Sequence, residues 1–260
     1  MKNFYVIGKN IQSSLSPFIH NYVFQASNID ANYAIKEIND SNRVFDIVEQ
    51  IKNGIIAGVN ITNPYKKIFF SHLSSFDDPS KEIGAINCID CNSGKISGHN
   101  TDWYGFLKML EGNNIKLKNK KIKIIGSGGG AKAVMYALNL KGLYQIEIYN
   151  RQNIDNIIRD FSNKEIVIIN CTTYHFLNSD KDIFNYFISR KILWIDLLYT
   201  KLSTNIAEKI NQSHKELYIN GIDMLIYQAL ASIDIWFSKN ISKNVDLYGL
   251  KSALKKEINA

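Results

Sequence analysis

Residues 121–142 read "KIKIIGSGGGAKAVMYALNLKG". The isoleucine-rich start reads as a strand, and the run from Ala131 onward, small and apolar at helical spacing, as a helix. Between them, GSGGGA (126–131) fits G-x-G-x-x-A. The motif alone is weak, but its strand-to-helix context is that of a dinucleotide-binding turn. Gly126 permits the tight turn, Gly128 lets backbone approach a pyrophosphate, and Ala131 lets the helix pack on the strand. The helix N-terminus then offers unpaired amides and its positive dipole end to phosphates. The ordinary alternative is a glycine-rich structural turn.

Downstream, QIEIYNR (145–151), EIVIINCT (165–172) and ILWIDLLY (192–199) read as strands separated by helical stretches. That is the layout of a doubly wound nucleotide-binding domain. Its second strand ends at Asn150 and Arg151. NAD sites usually place a carboxylate there for the ribose; here a guanidinium stands ready for a 2′-phosphate, which points to NADP.

Upstream, FYVIG (4–8), ANYAIKEI (31–38) and GIIAGVNIT (54–62) read as strands, with helices over 16–28 and 41–53 between them. GAINCIDC and KISGHN (95–100) read as a hairpin. Alternation of this kind implies a second, mostly parallel α/β sheet. Ser16 reads as a helix N-cap with Pro17 at the first helical position. In NITNPYKK (60–67), Pro64 suits the first turn of the next helix, and Lys66 falls in that turn, where the helix dipole disfavours a cation. GIDMLIYQALASIDIWFS (221–238) is a long amphipathic helix beyond the nucleotide pattern, placed to return to the first region. The expected division is a substrate domain of 1–101 joined by 222–260, and a Rossmann-type domain of 102–221.

The chain has 260 residues, 45% of them hydrophobic, enough for a substantial core. No apolar run approaches bilayer length, and the start of the sequence lacks a signal-peptide pattern, so a cytoplasmic protein with no membrane partner is expected. The net charge of +7 suits anionic small molecules. The lysines are scattered and no nucleic-acid-binding motif is present, so no nucleic-acid partner is expected. KLKNKKIK (116–123) reads as a solvated linker running into a strand. Cys88 and Cys91 form a lone C-x-x-C before a hairpin turn, so they read as two strand thiols, and no metal site is expected.

Several motifs together resemble the shikimate dehydrogenase family. SSLSPFIHN (13–21) is similar to its serine-containing substrate loop, and NITNPYK (60–66) to N-V-T-x-P-x-K. GAIN (84–87) resembles G-A-V-N, GHNTDWYGF (98–106) resembles G-x-N-T-D-x-x-G-F, and NCTT (170–173) resembles N-A-T-S. NR (150–151), DLLY (196–199) and NGIDMLIYQA (220–229) complete the series, in order, from near residue 4 to near residue 238. Ser13, Gln152 and His175 depart from the family pattern, which has histidine, threonine and often glycine there.

The resemblance implies NADPH-dependent reduction of 3-dehydroshikimate by a two-domain enzyme with the reaction in the cleft, acting as a monomer or homodimer. It implies Lys66 and Asp102 as the catalytic pair. It implies Ser14, Ser16, Asn60, Thr62, Asn87, Tyr199 and Gln228 as further substrate ligands. Cofactor contacts are implied at Gly126, Ser127, Gly128, Gly129, Gly130, Ala131, Asn150, Arg151, Thr172 and Leu197, with Gly221 and Met224 near the nicotinamide. The rival readings are a quinate/shikimate dehydrogenase of broader specificity, possibly using NAD, and a non-catalytic ligand-binding protein on the same fold.

Overall fold

A computed structural model describes residues 1–92, 94–159, 165–213 and 217–259. The chain divides into two compact units, Met1–Gly105 with Ile226–Ala260, and Phe106–Leu225. Both are α/β.

The first unit runs β1 (Lys2–Gly8), α1 (Ser16–Ala26), β2 (Ala31–Glu37), α2 (Arg43–Lys52), β3 (Gly58–Ile61), α3 (Lys66–Ser71), α4 (Asp78–Ile83), β4 (Cys88–Asn92) and β5 (Lys95–His99). Helix α5 (Asp102–Gly112) leads out of it. The strand order is β2-β1-β3-β4-β5, with β1 parallel to both neighbours and β4 antiparallel to β3 and β5. Helix α2 is held by its apolar stripe: Val44, Ile47, Val48 and Ile51, spaced for one face, pack with Ile7, Val59 and Ile89.

The second unit runs β6 (Lys121–Ile125), α6 (Gly129–Leu140), β7 (Ile146–Tyr149), β8 (Ile166–Asn170), α7 (Phe176–Ser179), α8 (Lys181–Ser189), β9 (Leu193–Asp196), α9 (Lys201–Ser213) and β10 (Tyr218–Ile219). Its sheet is wholly parallel, in the order β10-β9-β8-β6-β7. The central strands are buried apolar runs, as a parallel sheet covered on both faces requires. Helix α10 (Ile222–Phe237) starts in this unit and continues into the first, where α11 (Leu247–Asn259) follows.

Several local expectations are corrected. The apolar run 54–62 forms a strand only over Gly58–Ile61, because Gly54 and Ile55 turn back to cap α2 through bonds to Ile51 and Gln50. Leu15, not Ser16, is the N-cap of α1, and no side chain caps that end. Pro64 lies in the turn before α3, after a cis peptide bond, and not in the helix. Lys123, expected in a solvated cluster, is fully buried. Its ammonium donates to the Ile157 carbonyl at 2.7 Å and lies 5.5 Å from the Tyr149 ring and 5.9 Å from the Tyr186 ring. Cys88 and Cys91 are both on β4, as free thiols.

Candidate active site

The polar ends of three apolar segments converge within the first unit. Strand β3 ends by turning at Asn63–Tyr65, and that turn is anchored from several sides. The Thr62 amide donates to the Ile7 carbonyl at 2.8 Å, Lys9 N to the Asn63 carbonyl at 3.2 Å, and the Tyr65 hydroxyl to the Ile38 carbonyl at 2.8 Å. Lys66 then opens α3, as the sequence implied. The unfavourable dipole at that position is offset by a carboxylate: Lys66 Nζ donates to Asp102 Oδ2 at 2.5 Å.

Asp102 opens α5, where a negative charge suits the helix dipole. Its amide donates to Asn100 Oδ1 at 3.0 Å, so Asn100 does the turn's capping work and the Asp102 carboxylate is free to face Lys66. Asn87 Nδ2 donates to Asp102 Oδ1 at 2.8 Å. Both carboxylate oxygens are therefore engaged by donors. The pair is nearly buried, with side chains 14% and 9% exposed, which strengthens the attraction.

Around the pair runs a continuous polar chain. Asn87 Nδ2 also donates to Gln228 Oε1 at 3.2 Å, and Asn87 Oδ1 accepts from the Thr101 amide at 2.7 Å. Asn60 Nδ2 donates to Ser232 Oγ at 2.9 Å and to the Asn87 carbonyl at 3.1 Å, while its Oδ1 accepts from the Tyr33 hydroxyl at 2.9 Å. Asn60 is thus held in one orientation and keeps one free acceptor direction on Oδ1. Just before α1, Ser14 Oγ accepts from the Ser16 amide at 3.3 Å, which leaves the Ser16 hydroxyl free of capping duty. His20 faces the Ser16 carbonyl at 2.8 Å; its complete burial pushes its pKa down to about 4, so it stays neutral.

Ser14, Ser16, Asn60, Thr62, Lys66, Asn87, Asp102 and Gln228 all belong to this first unit. Tyr199 belongs to the second, in the loop after β9.

In the second unit, Gly126 has φ +115°, a region that favours glycine, and a Cβ there would meet Thr172 Cγ2 at 3.2 Å. Gly128 is the N-cap of α6, with Gly129, Gly130 and Ala131 in its first turn. A Cβ at Gly128 or Gly130 would meet no protein atom within 4 Å. These glycines therefore answer no demand from the chain's own packing, and open space at the N-terminus of a twelve-residue helix fits a bound pyrophosphate. Asn150 and Arg151 follow β7 and are exposed. Asn150 is fixed by its amide donating to Asn153 Oδ1 at 2.6 Å and by its Oδ1 accepting from Gln152 N at 2.8 Å. Gly221 has a different reason to be glycine: a Cβ would lie 2.2 Å from the Leu197 carbonyl oxygen. Met224 is buried in the first turn of α10.

A family model described as the shikimate dehydrogenase substrate binding domain matches residues 6–89. The chain is 33% identical, over 94% of its length and 92% of the relative's, to a shikimate dehydrogenase (NADP(+)) of Caldicellulosiruptor bescii. The chain belongs to the shikimate dehydrogenase family. A second relative of that name, from Caldicellulosiruptor saccharolyticus, is 33% identical over 98% of this chain and all of its own. Among solved structures, shikimate dehydrogenase 1 of Peptoclostridium difficile superposes with a TM-score of 0.80 at 25% identity, covering 98% of this chain and 97% of its own.

Within that family frame, several polar residues of the network escaped sequence reasoning. Ser232 lies one helical turn after Gln228 and shares its face, so spacing could have found it. Thr101 sits inside the quoted NTD motif. Tyr33 reads as an ordinary strand aromatic, and only the structure shows its hydroxyl on Asn60. Asn170 ends one apolar strand and Asn60 stands one residue before the end of another, so the same position signal points to both.

Proposed function

We propose that this chain is a shikimate dehydrogenase that reversibly reduces 3-dehydroshikimate to shikimate with NADPH, a step of aromatic amino-acid biosynthesis. The observation that carries the reading is the Lys66–Asp102 pair, with both carboxylate oxygens engaged and set among Asn87, Thr101 and Gln228. NADPH, when bound, supplies the hydride that adds to the ketone carbon. Lys66 stabilises the alkoxide that develops on the ketone oxygen and gives it a proton. Asp102 holds the ammonium in place and accepts from a ring hydroxyl.

Ser14, Ser16 and Tyr199 donate to the substrate carboxylate, and Asn60, Thr62, Asn87 and Gln228 orient its hydroxyls. The glycine loop from Gly126 to Ala131, with Ser127, takes the pyrophosphate. Asn150 and Arg151 take the adenosine ribose and its 2′-phosphate; Thr172, Leu197, Gly221 and Met224 border the nicotinamide half. The domain division 1–101 with 222–260, against 102–221, assigns substrate to one part and cofactor to the other. Three free thiols support a cytoplasmic setting; among the described residues no helix is long and apolar enough to cross a membrane.

The test is steady-state turnover with shikimate and with quinate, each with NADP⁺ and NAD⁺. Preference for shikimate with NADP⁺ supports the reading. Equal turnover of quinate, or preference for NAD⁺, replaces it with the broader enzyme, and binding of shikimate without turnover replaces it with a ligand-binding protein.

A further inference from the structure

Two buried polar residues stand side by side at the carboxyl ends of the central strands of the second unit. Asn170 ends β8 and Asp196 ends β9, and they are register partners. Neither entered the assignment of cofactor contacts. Burying a carboxylate among apolar strands carries a desolvation cost, so what its bonds accomplish is informative.

Those bonds lead into two loops. Asn170 Oδ1 accepts from the Thr172 amide at 3.1 Å and from the Thr172 hydroxyl at 2.8 Å. Asn170 Nδ2 donates to the Tyr174 carbonyl at 2.9 Å and to Asp196 Oδ1 at 3.1 Å. Asp196 Oδ1 in turn accepts from the Leu198 amide at 3.1 Å. The loop after β8 and the loop after β9 are therefore tied to each other by this pair, beside two further ties: His175 Nε2 lies 3.2 Å from Thr200 Oγ1, and the Leu197 amide donates to the Asn170 carbonyl at 2.9 Å. On its other side, Asp196 Oδ2 accepts from the Tyr218 hydroxyl at 3.1 Å, a contact that reaches β10 and neither loop. The loops in question carry Thr172 and Leu197. The Thr172 methyl also lies against Gly126, which joins the first loop to the glycine turn.

We propose that Asn170 and Asp196 are positioning residues for cofactor binding: they touch no ligand, and they hold Thr172 and Leu197 in the arrangement that receives the nicotinamide half of NADPH. The inference rests on the NADPH-dependent reading above. Strand-end polar pairs of this kind, saturated by loop donors, fix a binding geometry more tightly than the loops could alone.

The experiment measures the NADPH dissociation constant by fluorescence titration, together with thermal stability, in four variants of the full chain. Asn170→Ala and Asp196→Ala remove the side-chain link between the loops and leave the His175–Thr200 contact and the Leu197–Asn170 backbone bond in place, and each is expected to weaken NADPH by about tenfold, the effect of losing one buried hydrogen bond. At saturating NADP⁺, kcat with shikimate should stay near the wild-type value, since the effect lies in binding. Asp196→Asn keeps an acceptor for Asn170 and Leu198 and presents its amide to the Tyr218 oxygen, so it should restore NADPH binding. Tyr218→Phe removes a donor from the same buried carboxylate away from the loops; it should lower the melting temperature while the NADPH constant stays close to wild type. If Asn170→Ala does not fold, Asn170→Ser replaces it in the same comparison. Folded Asn170 or Asp196→Ala variants that bind NADPH as wild type does overturn the proposal. So does a loss of binding in Tyr218→Phe equal to theirs, which would make the pair a merely structural one. Wild-type protein that binds no NADPH overturns the functional reading itself, and this inference with it.

Discussion

His99 is expected to make the first unit's stability fall steeply in mildly alkaline solution. It lies on β5, with Nε2 2.8 Å from Asp90 Oδ1 on β4 and Nδ1 3.3 Å from Asp77 Oδ2, the N-cap residue of α4. Burial alone would lower its pKa, but the two carboxylates more than reverse that and raise it from 6.5 to about 9. A group with a raised folded pKa stabilises the fold fully below its unfolded value, and the stabilisation is lost as pH rises through the folded value. The window is therefore pH 6.5 to 9. At about 1.4 kcal/mol per unit, the shift corresponds to about 3 kcal/mol. His99 is largely buried, so solvent screening takes little from this figure. The assay is urea unfolding of wild type and His99→Gln at a series of pH values across the window. The Cys88 and Cys171 thiols, both pushed up by desolvation, also titrate differently in the unfolded chain at the alkaline end. They do so in both proteins, and the difference between the two curves isolates His99. Wild type should lose about 3 kcal/mol more than His99→Gln between the ends of the window. Parallel curves would refute the reasoning.

Other outcomes follow from the same geometry. Gly221→Ala would force a Cβ to 2.2 Å from the Leu197 carbonyl oxygen and should destabilise the chain by several kcal/mol, on the order of an overpacked core site, measured by denaturant unfolding. Gly128→Ala meets no protein atom and should leave stability nearly unchanged while weakening NADPH, which a binding titration reads directly. Arg151→Ala should weaken NADP⁺ by about ten- to a hundredfold and leave NAD⁺ nearly unchanged, with the preference shrinking as salt rises. Ser14→Ala and Ser16→Ala should each cost about 1.5–3 kcal/mol in shikimate binding and much less with an analogue lacking the carboxylate; equal losses with both ligands would make the serines structural.

What was legible in the sequence were features that one segment carries by itself. The glycine turn between strand and helix, the apolar runs of β6 and β8, and the stripe of α2 each follow from local periodicity, and each appears in the structure. The C-terminal helix was legible for the same reason. What was not legible depends on partners distant in sequence. Lys123 looks solvated among its charged neighbours, and partners far along the chain, the Ile157 carbonyl and the Tyr149 and Tyr186 rings, accompany its burial. Helix α5 was hidden because its start lies inside the NTD motif and its end in a polar stretch. At the site, Lys66 and Asp102 were placed by resemblance. Their contact, across 36 positions, could not be read from spacing. The resemblance implies Asn60, Asn87 and Gln228 as substrate ligands, while their bonds to Tyr33, Thr101 and Ser232 follow only from the fold. Ser16 misled in the other direction, since a serine before Pro17 matches a cap pattern that Leu15 fills instead.

The most direct test of the central claim is the rate of NADP⁺ reduction with shikimate, in wild type and in Lys66→Ala. Wild type should turn over, and the variant should lose about a hundredfold or more in kcat, as for a missing acid–base group that accepts the hydroxyl proton in this direction, with a far smaller change in shikimate binding. Near-normal turnover in a correctly folded Lys66→Ala protein, or no turnover of shikimate by wild type, would contradict the account.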